Sequence, residues 1–210
     1  MYSVDYIRTL VGEGILIHET PYIDDKQHGM EKEYYEENGK IRSEVEYKNG
    51  KLEGITKGYY KNGQLAYSAT YKDDKRHGVE KWYYDDGALL RESAYINGEK
   101  NGIEKTYYRN GNLSSQANYE NGKRVGITKT YYSNGNLLSE REYKKDEIET
   151  KYYNEKGEIG LEVILLYPLS FYHGLKFSVC KNGKVLTKDE QKDIIRISNI
   201  FSDFSHVISF

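Results

Sequence analysis

A Tyr-Tyr pair returns six times at a nearly constant interval, and that interval leaves the chain few folds to choose from. The pairs stand at 34–35, 59–60, 83–84, 107–108, 131–132 and 152–153, separated by 25, 24, 24, 24 and 21 residues. A period of this size marks a repeat architecture, in which each unit packs mainly on its sequence neighbours. The clearest unit is Gly102–Gly126. Within it Ile103–Arg109 is rich in β-branched and aromatic residues and reads as a strand. Asn110-Gly111 predicts a two-residue type I′ hairpin, because both turn residues must take φ > 0. Asn112–Tyr119 is the return strand, and residues 121–126 are expected to form a longer turn. Every connection is short, so neighbouring strands should be antiparallel. The expectation is an all-β fold: an elongated, single-layer antiparallel β-meander of about eight hairpin repeats. At about 4.8 Å per strand, some 16 strands would extend roughly 70–75 Å.

Alternation along the strands assigns the faces. The second Tyr of each pair should share a face with the Leu and Tyr of the return strand, as Tyr108 does with Leu113, Ser115, Ala117 and Tyr119. Tyr60 with Leu65 and Tyr71, and Tyr84 with Leu89 and Tyr95, repeat this set. The first Tyr of each pair falls on the opposite, mixed face with Glu44, Glu46, Glu92, Glu140 and Glu142. One side of the sheet is then an apolar-aromatic stripe and the other a surface of Tyr, Lys and Glu.

Both ends hold decayed copies. Glu13-Gly14 takes the turn position with Leu10-Val11 in place of Tyr-Tyr, and Val179-Cys180 replace the pair near the other end. The expected division is a degenerate N-terminal capping repeat over 1–29, regular repeats over 30–160, a degenerate repeat over 161–186 and a capping helix over 187–210. The helix is read from a capping box at Thr187–Glu190 and from Ile194, Ile197, Phe201, Phe204 and Ile208, which recur at helical spacing.

Composition removes several function classes. A net charge of −2 gives no basic footprint for nucleic acid. The single cysteine, Cys180, allows neither an internal disulfide nor a multi-cysteine metal site. No apolar run is long enough to span a membrane and no signal peptide is visible, so a cytoplasmic location is the default expectation.

The phrase Tyr59-Tyr60-Lys61-Asn62-Gly63-Gln64-Leu65, followed by Tyr71 and by His77-Gly78, resembles the MORN repeat in its variant form and is similar to the YwqK-type antitoxin repeats. The copies at 83–102, 107–126 and 131–143 carry the same phrase, and the resemblance covers about 20–186. It implies antiparallel hairpins stacked into a long sheet. It also implies scaffolding, protein recognition or contact with acidic phospholipid, and for the YwqK type the neutralisation of a toxin.

No residue set points to catalysis or to a cofactor. His28-Gly29, His77-Gly78 and His173-Gly174 read as turn positions, since Glu53-Gly54 and Asn101-Gly102 stand in their place elsewhere. Asp24-Asp25 and Asp73-Asp74 are too few oxygens for a calcium loop and read as turns too. Basic clusters at Lys72–Arg76, Lys123-Arg124 and Lys144-Lys145 read as a solvated edge. The candidate binding residues are Tyr59, Tyr83, Tyr107, Tyr131 and Trp82, because exposed Tyr and Trp are enriched at interfaces. The expected partner is another protein, with acidic phospholipid as the alternative.

Overall fold

The computed structural model describes residues 4–143, 147–154, 156–166, 176–181, 184–185 and 187. They form strands, turns and loops, and the strand pairs are antiparallel. Contacts divide the chain into one unit of residues 1–125 with 133–135 and a second of 126–132 with 136–210.

The first unit is a meander of β1 (Asp5–Val11), β2 (Ile15–Ile23), β3 (Lys26–Gln27), β4 (Gly29–Tyr34), β5 (Ile41–Lys48), β6 (Lys51–Tyr59), β7 (Leu65–Lys72), β8 (Lys75–Arg76), β9 (Gly78–Tyr83), β10 (Leu89–Ile96), β11 (Glu99–Tyr107) and β12 (Leu113–Glu120). The pairs β3–β4 and β8–β9 are each one strand interrupted at a histidine. His28 and His77 donate their backbone N–H to Pro21 O and Thr70 O, at 3.0 and 2.8 Å, while the following glycines take φ 113 and 105. These two His-Gly sites are therefore bulges within strands, not turns. Gly102 sits in the equivalent place at φ 108, where a Cβ would lie 3.2 Å from the Ala94 Cβ.

The turn chemistry is the reverse of the expectation. At Asn110-Gly111 only the glycine has positive φ (86), Tyr108 N donates to Asn112 O at 2.8 Å, and Gly111 N to Tyr108 O at 2.9 Å. This is a three-residue loop, a type I turn closed by a left-handed glycine. The two-residue type I′ turn lies at Asn121-Gly122 (φ 49 and 76), where a longer turn was expected, and likewise at Asn49-Gly50 and Asn97-Gly98. Asp24-Asp25 (φ 50 and 61) and Asp73-Asp74 (φ 49 and 65) take the same conformation, a region that short polar side chains tolerate.

Contacts to the neighbouring repeat explain the swap. In the tight turns the second residue donates its N–H to the previous repeat: Gly50 to Gln27 O, Asp74 to Leu52 O, Gly98 to Arg76 O and Gly122 to Lys100 O, at 2.8–3.1 Å. At the opposite strand ends the Asn side chain works. Asn110 Oδ1 accepts from Asn112 N at 3.0 Å, and its amide donates to Ser133 O at 2.8 Å. Asn62 does the same with Gln64 N and Asp85 O. The first of these loops holds one more residue, so that Gly39 N reaches Tyr35 O across four positions instead of three. That residue accounts for the 25-residue step. A bulge compensates each three-residue loop: Tyr107 faces Leu113 but Thr106 faces Ser115. The latter pairing is the one that a two-residue loop would have produced, so the expected facing survives.

The second unit contains β13 (Lys123–Tyr131) from Gly126 onward, then β14 (Leu137–Tyr143), β15 (Glu147–Tyr153), β16 (Ile159–Leu166), β17 (Lys176–Lys181) and β18 (Lys184–Val185), paired in that order. Its Tyr152-Tyr153 is one residue out of phase with the earlier pairs. Asn154 N donates to Glu158 O and Gly157 N to Asn154 O, both 2.9 Å, so Asn154 fills the place of a second Tyr. Apart from Thr187, the expected C-terminal helix lies outside the described residues, as do Pro168 and His173-Gly174.

The core is a thin line on the face opposite the first tyrosines. Ala69, Tyr95, Ala117 and Tyr119 are buried there, with Ser93 and Glu80. Small residues leave room for long ones: Ser93 lies between Glu80 and Glu104 across the strands, and Ala117 pairs with Glu104. Arg76 donates to Glu80 Oε2 at 2.7 Å, Arg91 and the Trp82 indole to Oε1 at 3.1 and 3.0 Å. Glu104 is held by Lys100 and by Ser93 Oγ at 2.8 Å. Its carboxyl is raised by burial, but these two partners outweigh the burial and hold it below the usual carboxylate range. Arg76 and Lys100 then cover the Tyr95 and Tyr119 rings, at 4.5 and 4.9 Å. The expected apolar stripe is thus a tyrosine layer around buried carboxylates, and Arg76 belongs to it rather than to a solvated edge.

Candidate interaction face

The opposite face repeats a three-residue pattern along every second strand. In the first unit the residue after each bulge glycine is Met30, Ile55, Val79 or Ile103, followed at alternate positions by Lys32, Lys57, Lys81 or Lys105 and then by Tyr34, Tyr59, Tyr83 or Tyr107. Period-two alternation sends all three to one side. The aliphatic residues stay 37–48 % exposed, so they do not serve the core.

Across the strands the lysines alternate with partners of the return strands. Lys32 pairs with Glu44 and Glu44 with Lys57; Lys81 pairs with Glu92 and Glu92 with Lys105. Ser68 stands between Lys57 and Lys81. The tyrosines use the same carboxylates. Tyr34, Tyr59 and Tyr107 donate their hydroxyls to Glu19, Glu44 and Glu92 at 2.8, 2.7 and 2.9 Å. Partial burial and then the adjacent carboxylate push each of these phenols up to about 12. For Tyr83 the acceptor position is Ser68, and its hydroxyl has no hydrogen-bond partner among the described residues.

The second Tyr of each pair has a different task. Tyr35, Tyr60 and Tyr84 donate to the carbonyl of the first Tyr in the next repeat, Tyr59, Tyr83 and Tyr107, at 2.6, 2.6 and 3.0 Å. In the second unit Tyr132 reaches Tyr153 O at 3.0 Å, and Tyr153 donates to Glu140 at 2.8 Å. Tyr153 therefore acts as a first Tyr, which confirms the shifted phase of that repeat.

Among the candidate residues, Tyr59, Tyr83 and Tyr107 line up on this face of the first unit. Tyr131 occupies the same strand position in the second unit, beside Lys129 and the 42 % exposed Ile127. Trp82 is not with them. It alternates to the core face, where its ring lies 4.5 Å from that of Tyr67 and beneath Arg91. The aliphatic row was missed in the sequence, although its signal is there: Met, Ile or Val follows the bulge glycine at 29, 54, 78, 102 and 126.

A titration checks the tyrosine–carboxylate pairs. A raised phenol pKa favours the protonated, folded form, so its stabilisation is complete below pH about 10, the unfolded value, and is lost as pH climbs towards about 12. Absorbance at 295 nm should show a late-titrating fraction that shrinks in Tyr59→Phe and Tyr107→Phe. An unchanged curve would mean that these hydroxyls face water.

The sequence model of the family described as MORN repeat variant matches residues 27–49, 52–73, 76–97, 100–121 and 124–145, just over half of the chain. No curated protein matches it. Among the described residues no helix is long and apolar enough to cross a membrane.

Proposed function

The chain belongs to the MORN repeat variant family, and from that premise we propose that it is a non-catalytic module that binds another protein through the tyrosine–lysine face. MORN repeats bind proteins or membrane lipids. The observation that supports the protein reading is the exposed aliphatic row, set beside half-buried tyrosines at a fixed interval. Apolar side chains aligned in solvent mark an interaction surface, and tyrosine adds contact area with little loss of entropy. A toxin-neutralising role is the form of this reading in which the partner is a toxin.

Simultaneous Tyr83→Ala and Tyr107→Ala should abolish the specific capture of a partner from native lysate while the far-UV circular dichroism stays β. Undiminished capture would remove the face assignment. The lysine row supports a second reading, contact with acidic phospholipid. Flotation with phosphatidylserine vesicles at low and physiological salt separates the two, since a lipid binder should float in a salt-dependent manner.

A further inference from the structure

The ladder of alternating Lys and Glu on this face breaks at Ser68. Glu44 stands between Lys32 and Lys57, Glu92 stands between Lys81 and Lys105, and Lys105 pairs with Glu92 at 3.8 Å. Ser68 instead has Lys57 on one side and Lys81 on the other. Neither lysine forms an ion pair among the described residues, and the Tyr83 hydroxyl beside them is unpartnered. Two ammonium groups, a phenol and a serine hydroxyl therefore converge on a strand position that lacks a carboxylate, while Glu44 and Glu92, on the far sides of the two lysines, accept from Tyr59 and Tyr107. The two lysines stand two strand spacings apart, about 10 Å, so both flexible side chains can close on one carboxylate between them. Exposed Ile55 (47 %) and Val79 (48 %) lie two residues before these lysines. An extended peptide repeats its side chains on one face every two residues, about 6.8 Å, the same rise as the strands beneath.

Resting on the protein-binding reading above, we infer that the break is a docking site for an extended acidic segment of the partner protein. A Glu or Asp carboxylate of that segment sits over Ser68 between Lys57 and Lys81 and accepts the Tyr83 hydroxyl. An apolar side chain two residues away packs on Ile55 and Val79. Charge complementarity selects this occupant: the position over Ser68 offers four donors, and the carboxylates beyond the two lysines, Glu44 and Glu92, are already engaged by Tyr59 and Tyr107.

The test is fluorescence anisotropy with a labelled octapeptide Val-Ser-Glu-Ser-Val-Ser-Glu-Ser, whose valines and glutamates alternate along one face, against a counterpart with lysine in place of glutamate. The full chain should bind the acidic peptide and not the basic one. Ser68→Glu supplies the missing carboxylate from within, as Glu44 and Glu92 do at the same repeat position, so it should fold and weaken binding by about tenfold or more. Lys57→Gln with Lys81→Gln should do the same. Asn121→Asp adds one negative charge in a turn that accepts Asp at 24 and 73, and should leave the affinity unchanged. Equal affinity in Ser68→Glu, or equal binding of the basic peptide, overturns the inference. So does binding of phosphatidylserine vesicles that is lost in Ser68→Glu without any peptide binding, which would assign the site to lipid. If the Tyr83→Ala, Tyr107→Ala variant loses its native partner while Ser68→Glu keeps peptide affinity, the inference fails and the protein-binding reading stands. If that double variant keeps the partner, the reading itself fails.

Discussion

Replacing Glu80 with threonine should destabilise the chain by about 3 kcal/mol, the lower end of what removing one partner of a buried ion pair costs. The Glu80 side chain is 2 % exposed and accepts from Arg76, Arg91 and the Trp82 indole. Its loss leaves two guanidinium groups and an indole N–H without their acceptor. The cost falls at the lower end because Arg76 and Arg91 are 40 and 35 % exposed and can turn partly to water. The chain supplies its own control. Leu52 and Thr56 stand where Arg76 and Glu80 stand one repeat later. Arg76→Leu combined with Glu80→Thr should therefore recover part of the loss, since one of the stranded cations is gone. Urea midpoints of the two single variants and the double variant close the cycle. A double variant as unstable as the sum of the singles would mean that the two side chains are not coupled.

Removing the hydroxyls of Tyr60 and Tyr84 together should cost about 2 kcal/mol, roughly one for each hydrogen bond to a carbonyl. Each bond joins one repeat to the next, at 2.6 Å to Tyr83 O and 3.0 Å to Tyr107 O. In a repeat array the interfaces between neighbours hold the units in one cooperative transition. The Tyr60→Phe, Tyr84→Phe variant should thus also broaden its urea transition. Tyr59→Phe with Tyr107→Phe removes as many hydroxyls, but these end on carboxylates of the open face, so midpoint and width should move less. Equal shifts in the two double variants would refute the division of labour within the Tyr-Tyr pair.

That division was only half visible in the sequence. Strand alternation is a local rule, so it correctly sent Tyr107 to the face of Glu92 and Tyr108 to the face of Ala117. It could not show that Tyr84 reaches the carbonyl of Tyr107, because such a bond depends on how consecutive hairpins stack. Glu80 and Glu104 were overlooked for a related reason. A glutamate on an apolar face is read as exposed unless its cations are known, and Arg76 and Lys100 come from across a bulge whose geometry is set by Gly78 and Gly102. Tyr152-Tyr153 misled in the opposite sense. The dipeptide matched the earlier pairs, but the register of β15 follows the shortened connection before it, and Asn154 took the second-Tyr position.

The sequence by itself determined the period, the antiparallel hairpins and which residues share a face. These follow from side-chain alternation and from the short spacing of the turn residues, both encoded within one repeat. The tertiary structure alone decided the turn types, the phase of the last pair and the contents of the core. Asn-Gly is compatible with a type I′ turn and with a type I turn closed by glycine. The choice falls to the neighbouring repeat, which offers Asn110 the Ser133 carbonyl and offers the Gly122 N–H the Lys100 carbonyl.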